Sequence, residues 1–286
     1  MKILSKLSSA ALVAALTFTF ACKQNESNTP TLSNEVSATV KSQVSSLGFS
    51  NANIIATDGG YIVEGDIFLS NKDLNSKYDV KRVVVGKKEQ YRTSNMVNTG
   101  GNRNVTLYAR VGGRKGYSAA MIAGLDEAIA RYNNMNLDIT FSRVTSSNGA
   151  DIQMTRLSKR DERRGVLGSA GFPTASGDPY NEIKMSGVLE SSYGLSVNGI
   201  ATIIAHEMGH CIGFRHTDYF DRSISCGGSP TNEGASTVGA ILIPGTPSGA
   251  DLAGNGSFML SCGGRVDRPF TSADRTALNW MYNGNF

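Results

Sequence analysis

The chain has 286 residues, of which 40% are hydrophobic and 18% charged, and its formal net charge is +4. That supplies enough apolar material for one or two cored domains. The modest charge, with no basic run interleaved with aromatics, excludes a nucleic-acid-binding role.

At the amino terminus, Lys2 and Lys6 precede an apolar stretch from Ala10 to Ala21 that only threonines interrupt, and Cys22 follows. Residues 1–21 read as a secretory signal, too short to span a membrane. Cleavage after Ala21 would leave Cys22 at the new terminus, as in bacterial lipoproteins, although Thr19 and Phe20 depart from the usual Leu and small residue. Two products are open: a lipidated Cys22 with residues 22–32 as a polar tether, or a plain secreted chain. The expected location is outside a bacterial cell or at its envelope, with membrane contact only through that lipid, and the chain is expected to be a monomer.

Residues 33–100 form a first block. A polar helix is expected over 33–46, followed by strands Asn53–Thr57 and Tyr61–Leu69 joined by Asp58-Gly59-Gly60. Gly100-Gly101-Asn102-Arg103 is a junction where a protease could cut. The second block, 101–286, opens with strand Val105–Val111 and a helix over 118–133 that Ser118 can cap. Strands Asp138–Val144 and Asp151–Thr155 follow, then the mixed-charge cluster Lys159–Arg164, read as a solvated or cleavage-prone loop. Extended runs at 165–172 and 182–185 lead to a helix over 197–213, and a last helix opens at Thr271-Ser272-Ala273-Asp274.

The chemistry sits on the penultimate helix. All three histidines, His206, His210 and His216, fall in one string that reads HExxHxxGxxH. Positions four apart share a helix face, so His206 and His210 can present imidazoles to one ion. Ten further helical residues would put His216 about 15 Å from His206. Gly213 solves this, because without a Cβ it can turn left-handed, end the helix and return His216 to the same metal. Three protein ligands and one open position describe a catalytic zinc, one ion per chain. Glu207, adjacent to the first ligand, is the candidate general base.

This motif resembles that of metzincin metallopeptidases, and HEMGHCIGFRHTD as a block is similar to the bacterial M57, or dual-action HEIGH, family, with Met208 in place of the usual Ile. Thr217 departs from the Glu that astacins carry after the third His. The resemblance implies an α+β fold in which a twisted, mixed, five-stranded sheet carries the zinc helix, a Met-turn and a carboxy-terminal helix, preceded by a small pro-region. It places the Met-turn at Met259. It makes Gly168, Ser169, Ala170 and Gly171 the edge strand above the zinc, to which an extended substrate could add. Residues 33–100 are then either a propeptide covering the cleft or a permanent accessory domain. Cys22 acquires a second possible role as a thiolate that occupies the fourth zinc position.

Asp218 could orient a ligand imidazole or begin a solvated loop. Cys226 and Cys262, which flank the stretch between the third His and the Met-turn, are the favoured disulfide, with Cys211 an alternative partner. The expected function is a secreted or surface-anchored zinc endopeptidase acting on protein or peptide substrates. A zinc-bearing binding protein and a non-proteolytic zinc hydrolase are the competing classes.

Overall fold

A computed structural model describes residues 36–75, 90–113, 115–234, 238–247, 255–263 and 266–283. The signal and tether, and Cys22 with them, lie outside the described residues. The first helix, Ala38–Ser46 (α1), begins where Ser37 Oγ accepts from Val40 N–H. Ile55–Thr57 (β1) and Gly60–Val63 (β2) then form an antiparallel hairpin. The single strand expected over 61–69 is two strands. Glu64 and Gly65 take left-handed φ of 55° and 99°, which reverses the chain into Ile67–Ser70 (β3). A one-turn helix, Asn71–Leu74 (α2), follows, opened by a Ser70/Asp73 capping box.

The second block is built around two helices. Tyr91–Arg92 (β4) precedes Arg103–Ala109 (β5), whose alternate residues Val105, Leu107 and Ala109 point into the core. Ala119–Asn133 (α3) starts at Ser118, whose hydroxyl accepts from Met121 N–H, and buries Met121, Leu125, Ala128, Ile129 and Tyr132 along one stripe. Ile139–Val144 (β6) and Ile152–Arg156 (β7) follow. The charged cluster is the short helix Lys159–Arg163 (α4) rather than a loop, because Ser158 caps it and Asp161 turns inward to accept from Thr57 and Ser158. Gly168–Ala170 (β8) and Glu182–Met185 (β9) lead to Val197–Cys211 (α5), in which every residue from Gly199 onward is buried. Gly124 of α3 lets the two helices touch, since a Cβ there would lie 2.5 Å from Ile200 Cγ2. Ser223–Cys226 (α6), Ile241–Leu242 (β10) and Ser272–Tyr282 (α7) complete the chain.

The main sheet is mixed and has eight strands in the order β1-β2-β3-β8-β9-β7-β5-β6, and β4 pairs with β10 in a separate two-stranded ribbon. The five strands between Arg103 and Met185 lie side by side, with β8 antiparallel to β9 and the rest parallel. The three extra strands come from the first block, because β3 adds in parallel to the outer side of β8. Val36 onward therefore forms one compact unit that contains both blocks. Residues 90–97 belong to the later part. Thr93 N–H donates to Gly213 O at 2.7 Å, Val97 N–H donates to Tyr282 Oη, and Gln90 bonds to Ser257 and Asp274.

Candidate active site

Helix α5 ends where its sequence lets it. Gly213 has φ of 110°, Phe214 N–H donates to Gly209 O and Gly213 N–H to His210 O, which is the pairing of a Schellman cap. The turn sends the chain back past Tyr91, whose carbonyl accepts from Arg215 N–H, and delivers His216 beside the two helix histidines. The ring centroids of His206, His210 and His216 are 4.7, 4.9 and 5.2 Å apart in pairs.

Each ring is anchored at Nδ1. His206 Nδ1 bonds to Phe258 O at 2.8 Å, His210 Nδ1 to Phe214 O at 2.9 Å, and His216 Nδ1 to Glu233 at 2.8 and 3.0 Å. These acceptors require Nδ1–H, so each neutral ring carries its lone pair on Nε2, and the three Nε2 atoms face one another. Those of His206 and His210 are 3.0 Å apart, and His216 Nε2 is buried with no hydrogen-bond partner. Nitrogens bound to one tetrahedral zinc at about 2.0–2.1 Å would stand about 3.3 Å apart, so the donor set fits that ion. Burial drives the His210 pKa well down, and His206 and His216 add to the effect. Burial also lowers His216, yet Asp66 and Glu233 outweigh it and raise that ring well above its ordinary value. Carboxylates thus converge on the place where a cation would sit.

Asp66 fills a fourth position beside the three imidazoles. Its Oδ2 lies 3.3 Å from His206 Nε2, and its Oδ1 lies 3.2 Å from His216 Nε2 and 3.9 Å from His210 Nε2. All four ligand atoms fall within 4.8 Å of one another. Burial opposes ionisation of Asp66, but His216 and His206 hold its carboxyl well below the usual range. The left-handed pair Glu64-Gly65 puts it there, between β2 and β3.

Behind His216 lies a buried charge network. Glu233 carries the carboxylate on His216 Nδ1, and it also pairs with Arg222 and, at 3.7 Å, with Arg215. Burial raises Glu233, but His216, Arg222 and Arg215 bring it down to about 2. Glu64 of the first block completes the set, 3.2 Å from Arg215. Asp218 serves elsewhere. Its Oδ1 accepts from Ser261 N–H and Oγ, and its Oδ2 from Ser225, so it ties two loops together while Glu233 takes the imidazole. Those loops are also joined by the disulfide Cys226–Cys262, and Cys211 stays a free, buried thiol on α5.

Met259 is buried beneath the site. Its Sδ packs so closely on Gly209 that a Cβ at that glycine would lie 2.6 Å away, and its carbonyl accepts from Thr217 N–H. Glu207 is buried, with Oε2 unpartnered, and burial followed by Asp66 raises its pKa well above the ordinary value. Gly168 lies directly against it, since a Cβ there would run into Glu207 Oε1. Of the expected edge strand, Gly168, Ser169 and Ala170 form β8, and Gly171 packs on the Tyr180 ring. The edge is not free in this form, because β3 occupies it and Ala170 N–H donates to Asp66 O at 3.1 Å. Tyr219 stacks edge-on against Tyr91 at 4.4 Å.

The sequence profile of the dual-action HEIGH metallopeptidases matches residues 61–282. The chain belongs to that family. It is accordingly a metallopeptidase, and the family implies zinc at the histidine cluster. The profile begins inside the first block and includes Asp66. Among solved structures the HEIGH-family chain is similar to two structures of myroilysin. One match has 16% identity, covers 43% of this chain and 52% of that one, about half its length, and has a TM-score of 0.30. The other has 15% identity, covers 72% and 99%, and has a TM-score of 0.37. The GM1-bound ECX AB5 holotoxin matches at 14% identity over 70% of this chain and 81% of that one, with a TM-score of 0.34. No curated protein sequence matches.

Neither Asp66 nor Glu233 was identifiable as a site residue from sequence. Asp66 had a weak signal, an acidic Gly-containing turn inside an otherwise apolar strand run. Glu233 lies in a Gly/Ser/Pro-rich loop with no periodicity.

Proposed function

We propose that this chain is an exported zinc endopeptidase of metzincin type, and that residues 60–75 hold the form described above latent. The observation that carries the first part is the convergence of three anchored imidazoles whose Nε2 lone pairs share one centre beside the buried carboxylate of Glu207. When bound there, zinc lowers the pKa of a water and polarises the scissile carbonyl. His206, His210 and His216 hold the ion, and Phe258 O, Phe214 O and Glu233 keep their rings in the required tautomer. Glu207 accepts the proton as the water oxygen bonds to the carbonyl carbon. It then passes that proton to the leaving nitrogen as the C–N bond breaks, giving a carboxylate and an amine. Gly168 gives Glu207 room to approach, and β8 offers backbone groups to an extended substrate.

Latency rests on two contacts. Asp66 stands where the fourth ligand would be, and β3 takes the strand edge that a substrate would use. Asp66 therefore replaces Cys22 as the group proposed to block the site. The lysines before the apolar leader support export, and the Cys226–Cys262 disulfide suits an oxidising compartment.

The test is cleavage of an unstructured protein substrate by the full chain with zinc, with and without chelator. Asp66→Ala should cut at least ten times faster than the parent, and Glu207→Gln in that background should retain zinc and lose about 10²- to 10⁴-fold in kcat. A metal-loaded Asp66→Ala chain that cleaves nothing would overturn the peptidase reading. Equal rates for parent and Asp66→Ala would overturn latency alone.

A further inference from the structure

A cavity of about 220 Å³ opens beside His206. Leu167, Ile203, Phe258 and Leu260 line its walls, Arg268 and Arg222 reach it, and Gly65 and Asp66 lie across it. The two guanidiniums differ. Arg222 is already paired with Glu233 and also bonds to Glu64 O. Arg268 takes part in no ion pair among the described residues. Its side chain bonds to Cys262 O at 3.2 Å, and its Nε is buried without a partner. Burial lowers its pKa, with Asp218 and Asp274 opposing at longer range. Asp218 cannot turn to meet it, because both of its oxygens are held by Ser225 and Ser261.

The chain makes room for this arginine. Gly263 has φ of 117°, and a Cβ there would run into the Arg268 guanidinium. The Arg268 backbone is fixed separately, by N–H donation to Thr202 Oγ1 at 2.9 Å. A half-buried guanidinium without a carboxylate is costly to keep and is a ready bidentate donor to one. Apolar walls that end at such a group suit a side chain with a methylene stem and a carboxylate tip. The cavity adjoins both His206 and Gly168, so it meets the substrate next to the reacting bond.

We infer that Arg268 is a specificity-determining residue that selects peptides with Glu or Asp at one of the two residues flanking the scissile bond. The inference rests on the peptidase reading and on departure of the Gly65-Asp66 segment. The test uses the full chain carrying Asp66→Ala, loaded with zinc, on a peptide library read by mass spectrometry. Glu and Asp should be enriched at a flanking position. For a peptide pair differing only by Glu or Gln there, the ratio of kcat/KM values should exceed about ten, each tenfold being about 1.4 kcal/mol. Arg268→Gln should bring that ratio below two, and Arg268→Lys should leave it intermediate. Cleavage with no acidic preference, or a ratio that Arg268→Gln leaves in place, overturns the inference while the peptidase reading stands. No cleavage of any peptide overturns both. Should Arg268→Gln fail to fold, the library result with the Asp66→Ala chain still decides.

Discussion

Glu233 is the residue whose replacement separates the two roles the network gives it. Glu233→Gln keeps the shape and leaves an oxygen to accept from His216 Nδ1–H, but it removes one negative charge from a buried set. Within that set Glu233 is the carboxylate that faces both Arg215 and Arg222. Arg215 is fully buried, whereas the Arg222 side chain is 18% exposed and can move toward water. Breaking a buried pair costs about 3–5 kcal/mol, and the partial exposure of Arg222 favours the lower end, about 3 kcal/mol. The metal should respond separately. Loss of a carboxylate behind a ligand imidazole weakens metal binding about 10- to 100-fold, or about 1.4–2.8 kcal/mol. Denaturant unfolding of the metal-free chain measures the first effect, and zinc competition against a chromophoric chelator measures the second. Unfolding free energy within about 1 kcal/mol of the parent, together with zinc affinity within twofold, would refute the assignment of Glu233 as support for His216.

Two further substitutions test the geometry. Gly213→Ala forces a Cβ into left-handed backbone and to within 3.0 Å of Asn95 O, so stability should fall by about 1–2 kcal/mol or more. Bound zinc should fall below one per chain by elemental analysis as His216 shifts, and a fully loaded variant would contradict the role given to the turn. Gly168→Ala should leave zinc content unchanged and lower kcat about 10²-fold or more in the Asp66→Ala background, because the new methyl displaces the Glu207 carboxylate. Unchanged kcat would remove Glu207 from its proposed place.

The zinc motif was legible because its geometry is local. Two ligands one helical turn apart and a glycine that ends the helix are fixed by residues within a single string. The strands and longer helices between Arg103 and Cys211, and the last helix, followed from caps and periodicity for the same reason, whereas the short helix at Lys159–Arg163 and the elements at Ser223–Cys226 and Ile241–Leu242 did not. The contacts missed are those set by long-range pairing. Asp66 reaches the site only because β3 adds to β8, a pairing across about a hundred residues that no local pattern announces. Glu233 meets His216, and Arg222 meets Glu233, through loops whose course depends on the Asp218 serine contacts and the disulfide. Sequence left Asp218 open between orienting an imidazole and starting a loop and did not point to Glu233, since adjacency to His216 says nothing about where the loop returns.

The way the blocking segment lies in the cleft bears on how it leaves. A peptide is cut when its carbonyl, not its side chain, faces the reacting centre. At residue 66 the side chain points to the imidazoles, and the carbonyl is turned away to accept from Ala170 N–H. The carbonyl of Glu64 is likewise held, by Arg222. Both peptide bonds nearest the site are therefore presented in the wrong sense for attack, so Glu64–Ser70 should survive as an uncut stretch during activation. Amino-terminal mapping by mass spectrometry of zinc-loaded wild-type chain, sampled as activity rises, should show new termini outside this stretch. A dominant cut after Glu64 or Asp66 would mean that the segment binds as a substrate rather than as a plug, and the latency proposed for it would fail.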